Sequence, residues 1–164
     1  MTLVQRVEDF PLLAPLEAAH REIYQEYLGV RRQLEDWVER DLYNADWKTF
    51  RLFEFPNGEP VAENIRQCPL TAKLIESCFP RHGAGGFSFL GPGTRIAPHE
   101  GYQGEFLRCH LGLTVPPGDC CLQLGSTTTA WEEGKVLIFD DRKWHAAWNN
   151  TSSERVVLLV DFIP

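Results

Sequence analysis

Long apolar runs are missing from this chain, and so is any cluster of basic residues. No segment approaches the roughly 18 consecutive apolar residues of a membrane-spanning helix. The first twenty residues, MTLVQRVEDFPLLAPLEAAH, have neither the basic start nor the continuous apolar stretch of a secretory signal. The expectation is a cytoplasmic protein without a membrane as partner. Sixteen Lys and Arg against 23 Asp and Glu give a net charge of -7, so the phosphate contacts that dominate nucleic-acid binding lack a source and nucleic acid is not expected as a partner. Cysteine occurs five times (Cys68, Cys78, Cys109, Cys120, Cys121), an odd count with no C-x-x-C pair. That argues against a disulfide framework or a zinc ribbon and for reduced, mostly buried thiols. Internal repeats and low-complexity segments are absent as well.

What remains is 164 residues, 43% hydrophobic and 12% aromatic, enough for one core and one domain over 1 to 164. Residues 1 to 85 read as a mainly helical segment. In LEAAHREIYQEYLGVRRQLEDWVERDLY, Ile23, Tyr24, Tyr27, Leu34, Trp37 and Leu42 recur mostly at three, four and seven, and Gly29 is a point at which the helix can divide. A second helix is expected over PLTAKLIESCF, with Pro69 in its first turn and Leu70, Leu74, Ile75 and Phe79 as its stripe. RHGAGG then ends helical structure. From 86 onward short β-rich runs follow: FSFL, TRIAPH, EFLRCHLGLTV, CCLQL, KVLIF, WHAAW and RVVLLVDFI, punctuated by Gly and Pro. Helices followed by seven or eight strands imply an α+β domain whose body is a jelly-roll double sheet, a cupin-like double-stranded β-helix with the N-terminal helices packed on one sheet.

Side chains alternate across a strand. In EFLRCHLGLTV, Phe106, Arg108, His110 and Gly112 share one face and Leu107, Cys109, Leu111 and Leu113 the other. The aliphatic face can pack against helices or the second sheet, which leaves Arg108 and His110 to line something polar. His145 in KWHAAW, Arg155 at the start of the last strand and His99 at the end of TRIAPH repeat the asymmetry. A single histidine in a strand is ordinarily a hydrogen-bonded core or rim residue; His20 and His82 are read that way. Two arginines facing inward are harder to dismiss, because a buried guanidinium needs an anion. That anion is either internal, with Asp140, Asp141 and Asp161 as candidates, or a ligand.

The segments FSFLGPGTRIAPHEG, LRCHLGLTVP, WEEGKVLIFDD and HAAWNNTSSERVVLLVDFIP, with NIRQCPLTAKLIE more weakly, resemble the aspartyl/asparaginyl β-hydroxylase family of iron(II) and 2-oxoglutarate-dependent oxygenases. The resemblance covers residues 47 to 164 and leaves the N-terminal helix outside. It implies the double-stranded β-helix fold and Fe(II), 2-oxoglutarate and O2 as cofactor and cosubstrates. It implies His99 and His145 as the metal ligands, without the usual third carboxylate, because Gly101 stands two residues after His99. Glu100 alternates away and is not taken as a ligand. By the same resemblance Arg155 and Ser88 would hold the far carboxylate of 2-oxoglutarate, while Arg108 and His110 would lie near its chelating end and the substrate. Arg108 thus joins His99 and His145 in the expected catalytic set. Asp140 and Asp141 either orient an imidazole or simply turn the chain.

Peptide hydroxylases of the family read Arg-Leu-Arg-x-His where this chain has Phe106-Leu107-Arg108-Cys109-His110. Loss of the first arginine points away from an acidic peptide. Trp47, Phe50, Phe53, Phe55 and Tyr102 are candidates for an aromatic rim around the opening. The expected reaction is hydroxylation of an unactivated C–H in a small molecule, an amino acid derivative or natural-product intermediate, with succinate and CO2 as co-products. The alternatives are a peptide aspartyl/asparaginyl β-hydroxylase and a non-catalytic, cupin-like anion-binding module.

Overall fold

A computed structural model describes residues 3 to 164 of the chain. Two helices, α1 (Ala14–Ala18) and α2 (His20–Val30), lead into strands β1 (Glu35–Asp36), β2 (Trp47–Glu54) and β3 (Glu59–Pro60). Helices α3 (Ala62–Gln67) and α4 (Pro69–Cys78) come next. Strands β4 (His82–Leu90), β5 (Thr94–His99), β6 (Leu107–Thr114), β7 (Cys120–Leu124), β8 (Thr127–Ala130), β9 (Val136–Phe139), β10 (His145–Asn149) and β11 (Arg155–Phe162) complete the chain. A seven-stranded sheet runs β1-β2-β4-β11-β6-β9, with β3 on β2, and faces a four-stranded sheet of order β5-β10-β7-β8. The arrangement is the expected jelly roll with helices on one sheet.

Alternation builds two cores. Cys109, Leu111 and Leu113 of β6 and Val156, Leu158 and Val160 of β11 point outward and join Ile23, Tyr27 and Val30 of α2 and Ile75 of α4. Each such side chain, fully buried, contributes about 1.5–3 kcal/mol. The opposite faces turn between the sheets, where Trp47, Ile96, Leu122, Trp131, Phe139 and Val157 form the second core. Inward-facing Arg108, His110 and Arg155 therefore enter the jelly-roll interior as the alternation requires.

Four expectations for the first 90 residues give way. The long helix stops at Val30, because its stripe serves two cores: Ile23 and Tyr27 belong to the helical layer, while Trp37, Leu42 and Tyr43 pack around Trp47 between the sheets. Continuous helix would keep them on one side, so the chain passes through a 3-10 turn and pairs Glu35 and Asp36 with the edge of β2. The segment 1 to 85 also holds β1 to β3 and the start of β4. In β2 a register shift between Arg51 and Phe53 puts Phe50, Leu52 and Phe53 in one core, which erases the period of two. RHGAGG opens β4 instead of ending order: a Cβ on Gly86 would run into the Phe50 carbonyl oxygen, so glycine lets β2 approach. Finally, of the stripe expected for α4, Ile75 and Phe79 are buried and Leu74 packs on the core, but Leu70 is exposed and Thr71, Ala72 and Cys78 are buried instead. Its rotation is fixed by Glu26 of α2, whose carboxylate accepts from the Leu70 and Thr71 amides at 3.0 and 2.7 Å and from Thr71 Oγ1 at 2.6 Å.

Candidate active site

The antiparallel ladder between β5 and β10 sets His99 directly opposite His145. Their ring centroids lie 4.3 Å apart. In both, Nδ1 donates to a carbonyl two residues earlier, His99 to Ala97 O at 2.7 Å and His145 to Lys143 O at 2.8 Å. A carbonyl only accepts, so Nδ1 carries a proton in each ring and Nε2 is the nitrogen left to bind a metal. Burial holds the His145 pKa down to about 4, aided by the neighbouring His99 and Arg108 and opposed by its backbone hydrogen bond. The imidazole is therefore neutral at physiological pH. Two adjacent imidazoles, each with Nδ1 committed to the backbone and Nε2 turned elsewhere, are a donor set suited to Fe(II). Among the described residues no group of three or more His, Cys, Asp or Glu is placed around one metal.

Gly101 explains the missing third ligand. A Cβ there would meet Asp141 Oδ2 at 2.5 Å and the Asp141 carbonyl oxygen at 2.8 Å, and the Gly101 amide donates to that carbonyl at 2.7 Å. Position 101 has no room for a carboxylate because Asp141 fills the space. Asp141 itself faces Arg108 Nη2 at 3.5 Å. Asp140, by contrast, holds Arg142 at the surface through Oδ1 at 2.7 Å and Oδ2 at 2.9 Å. The imidazoles are oriented by backbone carbonyls, and neither aspartate bonds them.

The two inward arginines differ. Arg108 sits opposite Asp161 in the β6–β11 ladder and donates to it twice, Nε to Oδ1 at 2.7 Å and Nη2 to Oδ2 at 3.0 Å. Its anion is internal. Arg155, 1% exposed, has no carboxylate: Nη2 donates to Ser88 O at 3.2 Å and Ser88 Oγ at 3.0 Å, its guanidinium lies 4.6 Å from the Trp131 ring, and Nε is unpartnered. Burial alone pushes its pKa down to about 10. Ser88 Oγ also accepts from Trp47 Nε1 at 3.1 Å, so its own hydroxyl proton is left to donate.

His110 is the other incomplete group. Trp131 Nε1 donates to its Nδ1 at 3.0 Å, which fixes the proton on Nε2, and Nε2 is buried without a partner. Burial and the nearby Arg155, Arg108 and His145 lower its pKa well below the ordinary value, so it stays a neutral donor. Trp131, which contacts both incomplete groups, was not singled out from the sequence. Its position depends on Gly112: a side chain there would overlap the Glu132 carbonyl, and the bare backbone lets the loop after β8 lie across β6. A lone tryptophan beside a turn, in TAWEEG, was the available signal.

Ser88, His99, Arg108, His110, Trp131, His145 and Arg155 thus line one inner pocket of about 30 Å³. It shares Trp47, His99, Arg108 and Leu159 with an outer cleft of about 590 Å³. Phe53, Phe55 and Tyr102 line that cleft, as does Trp47, but Phe50 packs under the helices and is no part of the rim.

The jelly roll is a fold that this chain shares with prolyl hydroxylases of known structure. A prolyl-4-hydroxylase from Pseudomonas putida superposes with TM-score 0.53 at 15% identity, covering 98% of this chain and 90% of that one. A viral collagen prolyl hydroxylase from Paramecium Bursaria Chlorella virus-1, solved with 2-oxoglutarate, gives 0.50 at 12%, covering 99% and 97%. At such identities the likeness establishes fold alone. The family model described as aspartyl/asparaginyl beta-hydroxylase matches residues 17 to 164, and the chain belongs to that family. The match takes in α2, which the sequence motifs had left outside. An ornithine lipid ester-linked acyl 2-hydroxylase of Rhizobium tropici is 42% identical over 119 residues, 71% of this chain and 41% of its own length. The human aspartyl/asparaginyl beta-hydroxylase is 39% identical over 122 residues, 71% of this chain and 16% of its own. The chain therefore spans less than half of either relative. None of the described helices is long and apolar enough to cross a membrane.

Proposed function

We propose that the protein is an Fe(II)/2-oxoglutarate-dependent hydroxylase acting on a small molecule. The observation that carries this reading is Arg155, a guanidinium buried without a carboxylate in the same pocket as two histidines with bare Nε2 atoms. Each lacks what the other's ligand would supply. His99 and His145 would hold the metal, and Arg155 with the Ser88 hydroxyl would take the far carboxylate of 2-oxoglutarate through charge-assisted hydrogen bonds. His110 Nε2–H, otherwise an unsatisfied buried donor, would find an acceptor on the same molecule. With iron and cosubstrate bound, the chemistry supplied is R–H + O2 + 2-oxoglutarate → R–OH + succinate + CO2.

The chain's own part is positioning and exclusion of water. Carbonyls of Ala97 and Lys143 fix both imidazole tautomers, and Trp131 fixes that of His110. Asp161 and Asp141 hold Arg108 at the junction of pocket and cleft, where a substrate in the cleft meets it. An inner volume of about 30 Å³ is that of about one water, so cosubstrate entry requires the lining side chains to move outward toward the cleft.

Anaerobic titration with Fe(II) and 2-oxoglutarate tests the reading. A metal-to-ligand charge-transfer band is expected, lost in His99→Ala and in His145→Ala. Absence of the band, together with no succinate in air across a broad panel of substrates, refutes it. Retention of an anion without iron would leave the cupin-like binding module in its place.

A further inference from the structure

The outer cleft carries a charge pattern that the proposed reaction does not use. Seven carboxylates and two arginines line it. Both arginines are committed within the protein, each to two carboxylates, and Asp36 is paired with Arg40 from outside the lining. Arg51 donates to both oxygens of Glu54 at 3.1 and 3.0 Å and to Glu35 at 3.2 Å. Arg108 serves Asp161 and Asp141. Glu39 accepts a hydrogen bond from Trp37 Nε1 at 3.3 Å and makes no direct ion pair among the described residues. Glu100 adds another carboxylate beside His99.

Aromatic rings supply much of the remaining wall. Trp37 stacks flat on Trp47 with centroids 4.1 Å apart, and Phe55 meets Tyr102 edge-on at 4.9 Å. Phe106 packs beside both Phe55 and Tyr102 and adds a third ring to that wall. Ring faces and excess carboxylate stabilise an organic cation and repel an organic anion. The cleft opens directly onto the inner pocket through Trp47, His99, Arg108 and Leu159, which line both, so a molecule held in the cleft lies against the paired histidines.

We infer that the substrate is an organic cation, a small molecule carrying an ammonium or guanidinium group. The charged end sits among Glu35, Glu39 and Glu54, and the C–H to be hydroxylated reaches toward His99 and His145. The inference rests on the hydroxylase reading and specifies its substrate class. The cation can arrive as a free amine or as the amine-bearing head of a lipid.

Calorimetric titration of the full chain, loaded with Mn(II) and 2-oxoglutarate, tests this. Spermidine, agmatine and lysine methyl ester represent free amines, and an alkylamine-headed lipid in neutral micelles represents the lipid source. Glutarate and an aspartate-containing peptide are the anionic comparators. Amines are expected to bind and to stimulate succinate release from the iron form. Affinity should fall about ten-fold in the double variant E35Q/E39Q and fall again with added salt. The tighter of the two amine forms identifies the source. Equal or tighter binding of the anions overturns the inference. Succinate release with a neutral or acidic substrate, and no amine binding, removes the cationic assignment and leaves the hydroxylase intact. Amine binding weakened by E35Q/E39Q, with no succinate from any substrate, keeps the cleft assignment and removes the hydroxylase.

Discussion

Arg155→Met separates a ligand-binding arginine from a structural one. Burial holds the Arg155 pKa at about 10; at about 1.4 kcal/mol per tenfold in proton affinity, its charge costs the ligand-free fold on the order of 3 kcal/mol. Methionine removes that cost. It also gives up the two hydrogen bonds to Ser88 and the stacking on Trp131, together worth about 2–4 kcal/mol. The effects offset, so metal-free Arg155→Met should unfold in urea within about 1 kcal/mol of the parent. Arg108→Met strands Asp161 and Asp141 and should cost about 3–5 kcal/mol, the usual result of removing one partner from a buried pair. For 2-oxoglutarate the order reverses. Loss of two charge-assisted hydrogen bonds, about 3 kcal/mol, should raise the KM for 2-oxoglutarate about 100-fold in Arg155→Met. Two results would refute the reasoning: Arg155→Met destabilising as much as Arg108→Met, or an unchanged KM.

Other perturbations probe the supporting groups. Trp131→Phe leaves His110 Nδ1 without its donor; a loss of about 1–3 kcal/mol in stability is expected, with weaker 2-oxoglutarate binding in calorimetry. Gly101→Asp restores the sequence position of the missing carboxylate but drives it into Asp141, so the variant should lose stability in thermal unfolding and gain no iron affinity. For His145 the folded pKa of about 4 lies below the ordinary 6.5, so the unfolded chain binds more protons between those values. The contribution to stability is full above pH 6.5 and is lost as pH falls toward 4, about 3 kcal/mol in the metal-free protein. Urea unfolding across that window checks the slope, and an assigned His145 imidazole NMR signal that titrates near the ordinary 6.5 would contradict it.

Legibility in the sequence followed the range of the interactions. Strand alternation is local, so β6 and β11 declared their inward faces in advance: Arg108, His110 and Arg155 all enter the interior as their positions in EFLRCHLGLTV and RVVLLVDF require. His99 and His145 were identified by resemblance, and only the β5–β10 register shows that they face each other. The partner of Arg108 had been left open between an aspartate and a ligand. Asp161, 53 residues away, closes that question through ladder pairing, information that strand periodicity does not contain. The bulge in β2 and the double service of the 23-to-43 stripe defeated period counting for the same reason, since both answer to tertiary packing.

The outer cleft was less legible still, and this bears on where specificity resides. Six of its seven carboxylates come from β1, the turn after it, the end of β2 and the loops after β5 and β9, and the seventh, Asp161, from β11. In the sequence Glu35, Asp36, Glu39 and Glu54 look like ordinary solvated charge within an acidic chain. Only the unexpected edge pairing of β1 with β2 brings Glu35 to Arg51 and sets Trp37 flat against Trp47. The inner pocket, built from alternating positions of paired strands, is constrained by the fold and tolerates little change. The floor of the cleft belongs to the same sheet, but its outer wall comes from an edge strand and loops, which can exchange charge at small cost in stability. Exchanging the β1 segment between relatives should therefore move substrate preference while leaving the 2-oxoglutarate KM near its starting value. A hybrid whose cosubstrate KM shifts as far as its substrate preference would show instead that cleft and pocket act as one unit.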